Sequence, residues 1–198
     1  MKRLSKCLLL FLSIVWAASA DKDQKFAPRP ASSYENKQTI SKLTIAASVF
    51  ETAEQAKQAF GKLHPYEHGI LPVLVVMQND SDQPLSLENM SVEYLAPDRN
   101  RIEPTPPQDV PYTRAPKRPN MNPSPIPLPK KKNPLAAYEI EGRAFRAKML
   151  LPGESAHGFF YFQTGHRSGS VLYVTGIREA SSGKEIFYFE VPLSRVAR

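Results

Sequence analysis

Cysteine occurs once in this chain of 198 residues, at Cys7. Beyond that position the chain has no thiol, which excludes a disulfide framework, thiol catalysis and cysteine-ligated zinc. No apolar run reaches the roughly 18 to 20 residues needed to cross a bilayer, so a multi-span membrane protein is excluded as well. Glycine is ordinary at nine residues, and the 23% charged and 41% apolar fractions allow a packed core. Proline is the excess. Its nineteen residues are close to twice the usual share of about 5%, which predicts a long stretch without regular structure.

The first twenty residues read as a cleaved secretory signal. Lys2, Arg3 and Lys6 form a positive head, Cys7 to Ala18 is apolar, and Ala18-Ser19-Ala20 offers the small residues that signal peptidase accepts. Cys7 lies inside the apolar stretch, away from the position a lipid-modified cysteine would need. The mature chain then begins at Asp21, is exported to the periplasm or outside the cell, and keeps no transmembrane span. Without disulfides its stability must come from a sizeable hydrophobic core. It carries 23 basic and 19 acidic residues, a net charge of +4.

That surplus sits in one place. Between Val110 and Tyr138 there are six basic residues and no acidic one, which leaves about −2 for the rest of the mature chain. Residues 104–134 hold eleven prolines, including the alternating run Pro123 to Pro129, a composition that removes backbone donors and favours polyproline II. This segment is expected to be a long basic loop interrupting a single domain, residues 39–198. Residues 21–38, polar and with Pro28 and Pro30, read as a flexible N-terminal arm.

Short apolar runs bounded by turn residues flank the loop. Lys42 to Phe50 is an expected first strand, and Ile70 to Gln78 is apolar enough to lie centrally. From Leu85 to Leu95 the alternation slips by one residue near Glu88-Asn89, as a bulge or a sheet-switching corner would require. Gly158 to Gln163, Val171 to Ile177 and Glu185 to Leu193 suggest an antiparallel meander. One helix is well punctuated: Thr52 caps Ala53 to Phe60, Gln55 completes a capping box, and Gly61 stops it. Residues Leu135 to Leu151 combine a helical start with an extended end.

These elements predict a mainly β fold, an immunoglobulin-like two-sheet antiparallel sandwich with one short helix and the Pro-rich basic insert. The runs GILPVLVVMQNDSDQPLSL, VEYLAPD and LLPGESAHGFFYFQT resemble small exported bacterial immunoglobulin-like proteins. There a core strand ends in Asn before a polar turn, and a Pro-Gly-Glu-Ser turn precedes an aromatic strand. The resemblance spans roughly residues 40–193 and implies fold and export; its motifs are structural punctuation and not chemistry. The Pro-rich insert departs from a minimal version of such a domain.

Chemistry is weakly signalled. His64-Pro65-Tyr66-Glu67-His68 places two imidazoles and a carboxylate close together, but Pro65 and Gly69 predict a loop where no helical HExxH geometry forms. His157 and His166 flank the aromatic strand and could in principle complete a site, but the sequence does not place them together. Gly165 to Gly169 has its Ser one position away from a nucleophile elbow and joins two strands. Asn79 to Asp82 lacks the Gly and distal Glu of a calcium loop. Glu139, Glu141, Glu154, Glu179 and Glu190 are too scattered for a glycosidase pair to be chosen. No catalytic residue, metal or cofactor is therefore assigned. A carbohydrate-active or metal-dependent enzyme is the competing reading.

Two binding surfaces are suggested instead. Arg114, Lys117, Arg118, Lys130, Lys131 and Lys132 could meet an anionic envelope polymer, lipid head groups or an acidic protein, the alternative being a solvated loop. Nucleic acid is excluded as a partner because the rest of the domain is slightly acidic and aromatic–basic interleaving is absent. Tyr161, Tyr173 and Tyr188 alternate with Phe160, Phe162, Leu172, Val174, Phe187 and Phe189; if the latter set faces the core, the tyrosines form an outward strip for a glycan or a protein partner. The alternative is a second core layer, or a face covered by the N-terminal arm. The expected function is that of a non-catalytic exported interaction or envelope-associated module.

Overall fold

A strand that is apolar without alternation must bury both of its faces, and Leu71 to Met77 is such a run. The computed structural model, which describes residues 26–113 and 133–194, meets this demand by placing that strand in the interior. Its strands and helices, in chain order, are β1 (Lys37–Ile40), β2 (Leu43–Val49), α1 (Ala53–Phe60), β3 (Leu71–Asn79), β4 (Leu85–Ser86), β5 (Ser91–Leu95), β6 (Arg101–Ile102), α2 (Tyr138–Arg143), β7 (Met149–Leu150), β8 (Ser155–Phe162), β9 (Val171–Thr175), β10 (Arg178–Glu179) and β11 (Phe189–Pro192). They form three antiparallel sheets, in the orders β1-β2-β3-β8, β10-β4-β7 and β11-β9-β5-β6. The fold is thus mainly β, with three sheets among the described residues where two were expected and two α-helices where one was expected.

One face of the first sheet presents Leu43, Ile45, Ala47 and Val49 from β2, Leu71, Val73, Val75 and Met77 from β3, and Phe162 from β8. Val92, Tyr94, Leu172, Val174, Phe189 and Val191 of the β11-β9-β5-β6 sheet meet them, and Leu85 and Leu150 of the small sheet complete the same core. The opposite face, with Ala46, Leu74, Val76, Phe159 and Tyr161, is covered by Ala59 and Phe60 of α1, Ile140 of α2, and Ala31, Tyr34, Val110 and Leu135. The capping box on α1 forms as predicted: Gln55 N donates to Thr52 Oγ1 at 3.3 Å and Thr52 N to Gln55 Oε1 at 3.1 Å.

Several expectations are corrected. The three C-terminal runs do not form a meander, because β8 pairs with β3 while β9 pairs with β5 and β11. Burial explains the division: β8 has aromatic residues on both sides and suits a position between two layers, whereas β9 has one apolar face only. The phase slip after Leu87 marks a change of sheet, β4 belonging to the small sheet and β5 to the larger one. Residues 26–38 are packed and not a free arm. Phe26 lies 5.9 Å from Phe50 and 5.6 Å from Phe159 between ring centroids, and Ala31 and Tyr34 are buried. The apolar residues dispersed through that polar stretch supply the anchorage. Residues 104–113 of the Pro-rich segment also pack, with Val110 fully buried and Thr105 N donating to Tyr161 O at 2.7 Å.

Gly158 makes one close approach possible. A Cβ there would run into the Cα and N atoms of Phe145, whose own N–H donates to Phe159 O at 3.1 Å along the free side of β8. Backbone cannot retreat as a side-chain tip can. Gly158→Ala is expected to destabilise the fold by about 3 kcal/mol, the upper end for overpacking, read as a lower urea midpoint at unchanged m-value.

Candidate interaction surface

The β11-β9-β5-β6 sheet buries one face and leaves the other to solvent, so alternate residues along each strand point outward. Leu172 and Val174 go inward from β9, which puts Tyr173 on the outer face. Register then sets its neighbours: Glu93 of β5 is opposite Tyr173 on one side and Glu190 of β11 on the other. A ring lies between two carboxylates in one row across the sheet.

Around this row the aromatic groups gather. The Arg101 guanidinium lies 4.9 Å from the Tyr173 ring centroid, and its Nη1 donates to Glu93 Oε2 at 2.7 Å. The Tyr173 and Tyr188 rings are 5.4 Å apart and the Tyr188 and Phe187 rings 5.0 Å apart, each pair tilted by 33°. At such spacings the tilted rings are in contact with one another. Phe187 is 69% exposed and Tyr188 42% exposed, so the file Arg101–Tyr173–Tyr188–Phe187 runs outward into water. The Glu190 carboxylate has no cation partner among the described residues, although its backbone N–H donates to Gln38 Oε1 at 2.6 Å.

Of the three tyrosines expected in an outward strip, the structure brings Tyr173 and Tyr188 together and separates Tyr161. That residue is corrected from surface to core: it is 1% exposed, and its hydroxyl donates to Ile140 O at 2.7 Å. The cause is its sheet, since the outer face of β8 is covered by α1, α2 and the N-terminal segment. This is the second core layer of the alternative reading. Phe187 is corrected in the other direction. Ile186 and Phe189 are both buried, which leaves the two residues between them facing solvent ahead of the regular ladder that starts at Phe189. Arg101 and Glu93 were missed, because only the strand register places them beside Tyr173. Arg114, Lys117, Arg118, Lys130, Lys131 and Lys132 lie outside the described residues, as do residues 1–25 with the signal-like sequence.

The weaker chemical candidates resolve into structure. Pro65–His68 forms a 3-10 helix in the connection from α1 to β3, where His64 Nδ1 is 2.9 Å from Glu67 Oε1. Among the described residues, no three His, Cys, Asp or Glu side chains gather as metal ligands would. The Gly165 to Gly169 turn is held by two phenols: Arg167 N donates to Tyr94 Oη at 2.9 Å, and His166 N to Tyr66 Oη at 3.2 Å. The Asn79 side chain organises its own turn, accepting from Ser81 N at 3.0 Å and donating to Gln83 O at 2.8 Å and Leu150 O at 3.1 Å. No helix among the described residues is long and apolar enough to cross a membrane. Comparison of the chain with family models, with curated proteins and with solved structures finds no match.

Burial holds the Tyr161 hydroxyl protonated well above the ordinary phenol value of 10.0, against a smaller opposing pull from Arg143. The unfolded chain releases that proton near 10.0, so the contribution of Tyr161 is fully present below this pH and is lost as pH rises above it. Tyr161→Phe is expected to lose about 1 kcal/mol at neutral pH by leaving Ile140 O unpaired. The gap to the parent should narrow in urea titrations carried out above pH 10.0.

Proposed function

We propose that this chain is an exported, non-catalytic immunoglobulin-like β-sandwich that works as an interaction module, in the periplasm or outside the cell. Its partner is engaged through the outer face of the β11-β9-β5-β6 sheet. The observation that carries this reading is the solvent-facing file of Phe187, Tyr188 and Tyr173 closed by Arg101. Single exposed apolar residues are common on any protein surface, but a contiguous aromatic patch rimmed by charge is what binding faces display. Tyrosine and arginine are also the residue types that carry most of the energy where interfaces have been dissected. Export is supported by the signal-like composition of residues 1–20.

A second reading, a carbohydrate-binding module, is favoured by the exposed Tyr188 and Phe187 rings, which offer stacking surface on the same face as the Glu190 carboxylate. The two readings share one surface and differ in ligand chemistry.

Both exposed rings lie outside the core, so the double variant Phe187→Ser with Tyr188→Ser is expected to melt within about 0.5 kcal/mol of the parent in stability. Immobilised parent protein should retain components of an envelope extract that the double variant does not retain. Equal retention by both would remove this face as the binding surface. Binding of the parent to a glycan array, lost in the same variant, would select the carbohydrate reading.

A further inference from the structure

We infer that the outer face of the β11-β9-β5-β6 sheet takes a proline-rich basic strand, and that its occupant is segment 114–132 of a second copy of this chain. The inference rests on the reading of that face as a binding surface and adds the identity of what binds there.

Three observations lead to it. The face has aromatic ridges beside carboxylates. Tyr173 lies between Arg101 on one side and Tyr188 on the other, so much of its ring surface is already used, and a flat sugar would find little of it free. What protrudes are the Tyr188 and Phe187 rings, an exposed aromatic surface of the kind on which proline-rich strands dock. Arg101 is committed to Glu93, whereas the exposed Glu190 carboxylate has no cation partner among the described residues. The surface thus offers a negative charge next to stacked rings.

The matching chemistry is present in the same chain. Residues 114–132 read RAPKRPNMNPSPIPLPKKK, with six prolines, six basic residues and no acidic one. A chain of this composition loses little conformational freedom on docking, and its cations complement Glu190.

The ends of the segment show which copy is presented with it. Val110 and Leu135 are buried in the core on the helical side of the first sheet, and the Asn133 side chain donates to Pro111 O, so departure and return are pinned side by side. The aromatic face looks out from the far side of the sandwich. Nineteen residues tethered at both ends reach about 30 Å at the roughly 3.1 Å per residue of polyproline II. The direct thickness of the intervening layers, at about 10 Å per packing step, uses most of that before any detour around an edge. A tether this short makes the molecule's own face a poorer target than the same face of a neighbour. Such an association is head-to-tail, pairing two different surfaces, and propagates into a chain or closes into a ring.

The test uses the mature full chain and a fluorescein-labelled peptide of residues 114–132, followed by anisotropy, with sedimentation velocity over a concentration series. Peptide binding that weakens with added salt, falls about tenfold or more in Phe187→Ser with Tyr188→Ser, and falls also in Glu190→Gln would support the inference. So would concentration-dependent association of the parent that disappears when Lys130, Lys131 and Lys132 are replaced by Ser. No binding of the peptide to the parent, or equal binding to the double variant, overturns it. If the peptide fails while retention of envelope components still depends on Phe187 and Tyr188, the occupant is wrong and the face remains a binding surface. If both fail, the reading of the face falls with it.

Discussion

The constraint on which the rest depends is the double burial of β3. Its seven residues from Leu71 to Met77 are buried on both sides in a chain that offers no disulfide after Cys7. Each such strand residue removed to Ala costs on the order of 2 to 5 kcal/mol, a large share of a marginal total. One face of β3 finds the β11-β9-β5-β6 sheet. The other would be an open apolar surface, and its cover explains much that is not sheet: α1, α2, the packed stretch from Phe26 to Tyr34, and the residues on either side of the Pro-rich segment. Val110 and Leu135 fill that cover from either side of residues 114–132, so the packing requirement that builds the core also fixes the chain at both ends of that stretch.

Open sheets must also deal with their edges, since unpaired backbone groups invite further strands. At one side β1 and β11 are tied across the two sheets. Asn36 Nδ2 donates to Ser194 O at 2.8 Å, Ser194 Oγ to Asn36 Oδ1 at 2.6 Å, and Glu190 N to Gln38 Oε1 at 2.6 Å. Pro192, two residues along the same edge, has no donor to leave exposed. On the free side of β8, Phe145 N and Thr105 N donate to the carbonyls of Phe159 and Tyr161. These bonds occupy backbone groups on the free edges of β8 and β11 that would otherwise be open to pairing.

Local signals were legible in the chain, and relations between distant segments were less so. Thr52, Gln55 and Gly61 specify α1 because capping is decided within three residues. The unbroken apolar run of β3 identifies a central strand for the same local reason, and the slip near Glu88-Asn89 marks the corner between β4 and β5. Tyr161 shows the limit. Its alternation with Phe160 and Phe162 is identical in kind to that of Tyr173 with Leu172 and Val174, yet one phenol is buried and the other faces water. The difference lies in what covers the sheet: for Tyr161 it is Phe60 and Ile140, which arrive from elsewhere in the chain. Arg101 and Glu93 were illegible for a related reason, since their meeting over Tyr173 depends on pairing between three strands.

The aromatic file joins rigid and adaptable parts, which bears on how it would bind. Tyr173 stands between two fully buried residues on a strand paired on both sides, so its position is held by the core itself. Arg101 is held twice, by Glu93 and by the ring. A partner meeting these groups bears little ordering cost on the protein's side, the condition under which a small surface can still discriminate. Phe187 and Tyr188 precede the ladder of β11 and stand outside the strand pairing that fixes Tyr173. The face thus combines one ring whose place is set by the core with two that project beyond it, so exposure rises along the file from half-buried Tyr173 through Tyr188 to Phe187.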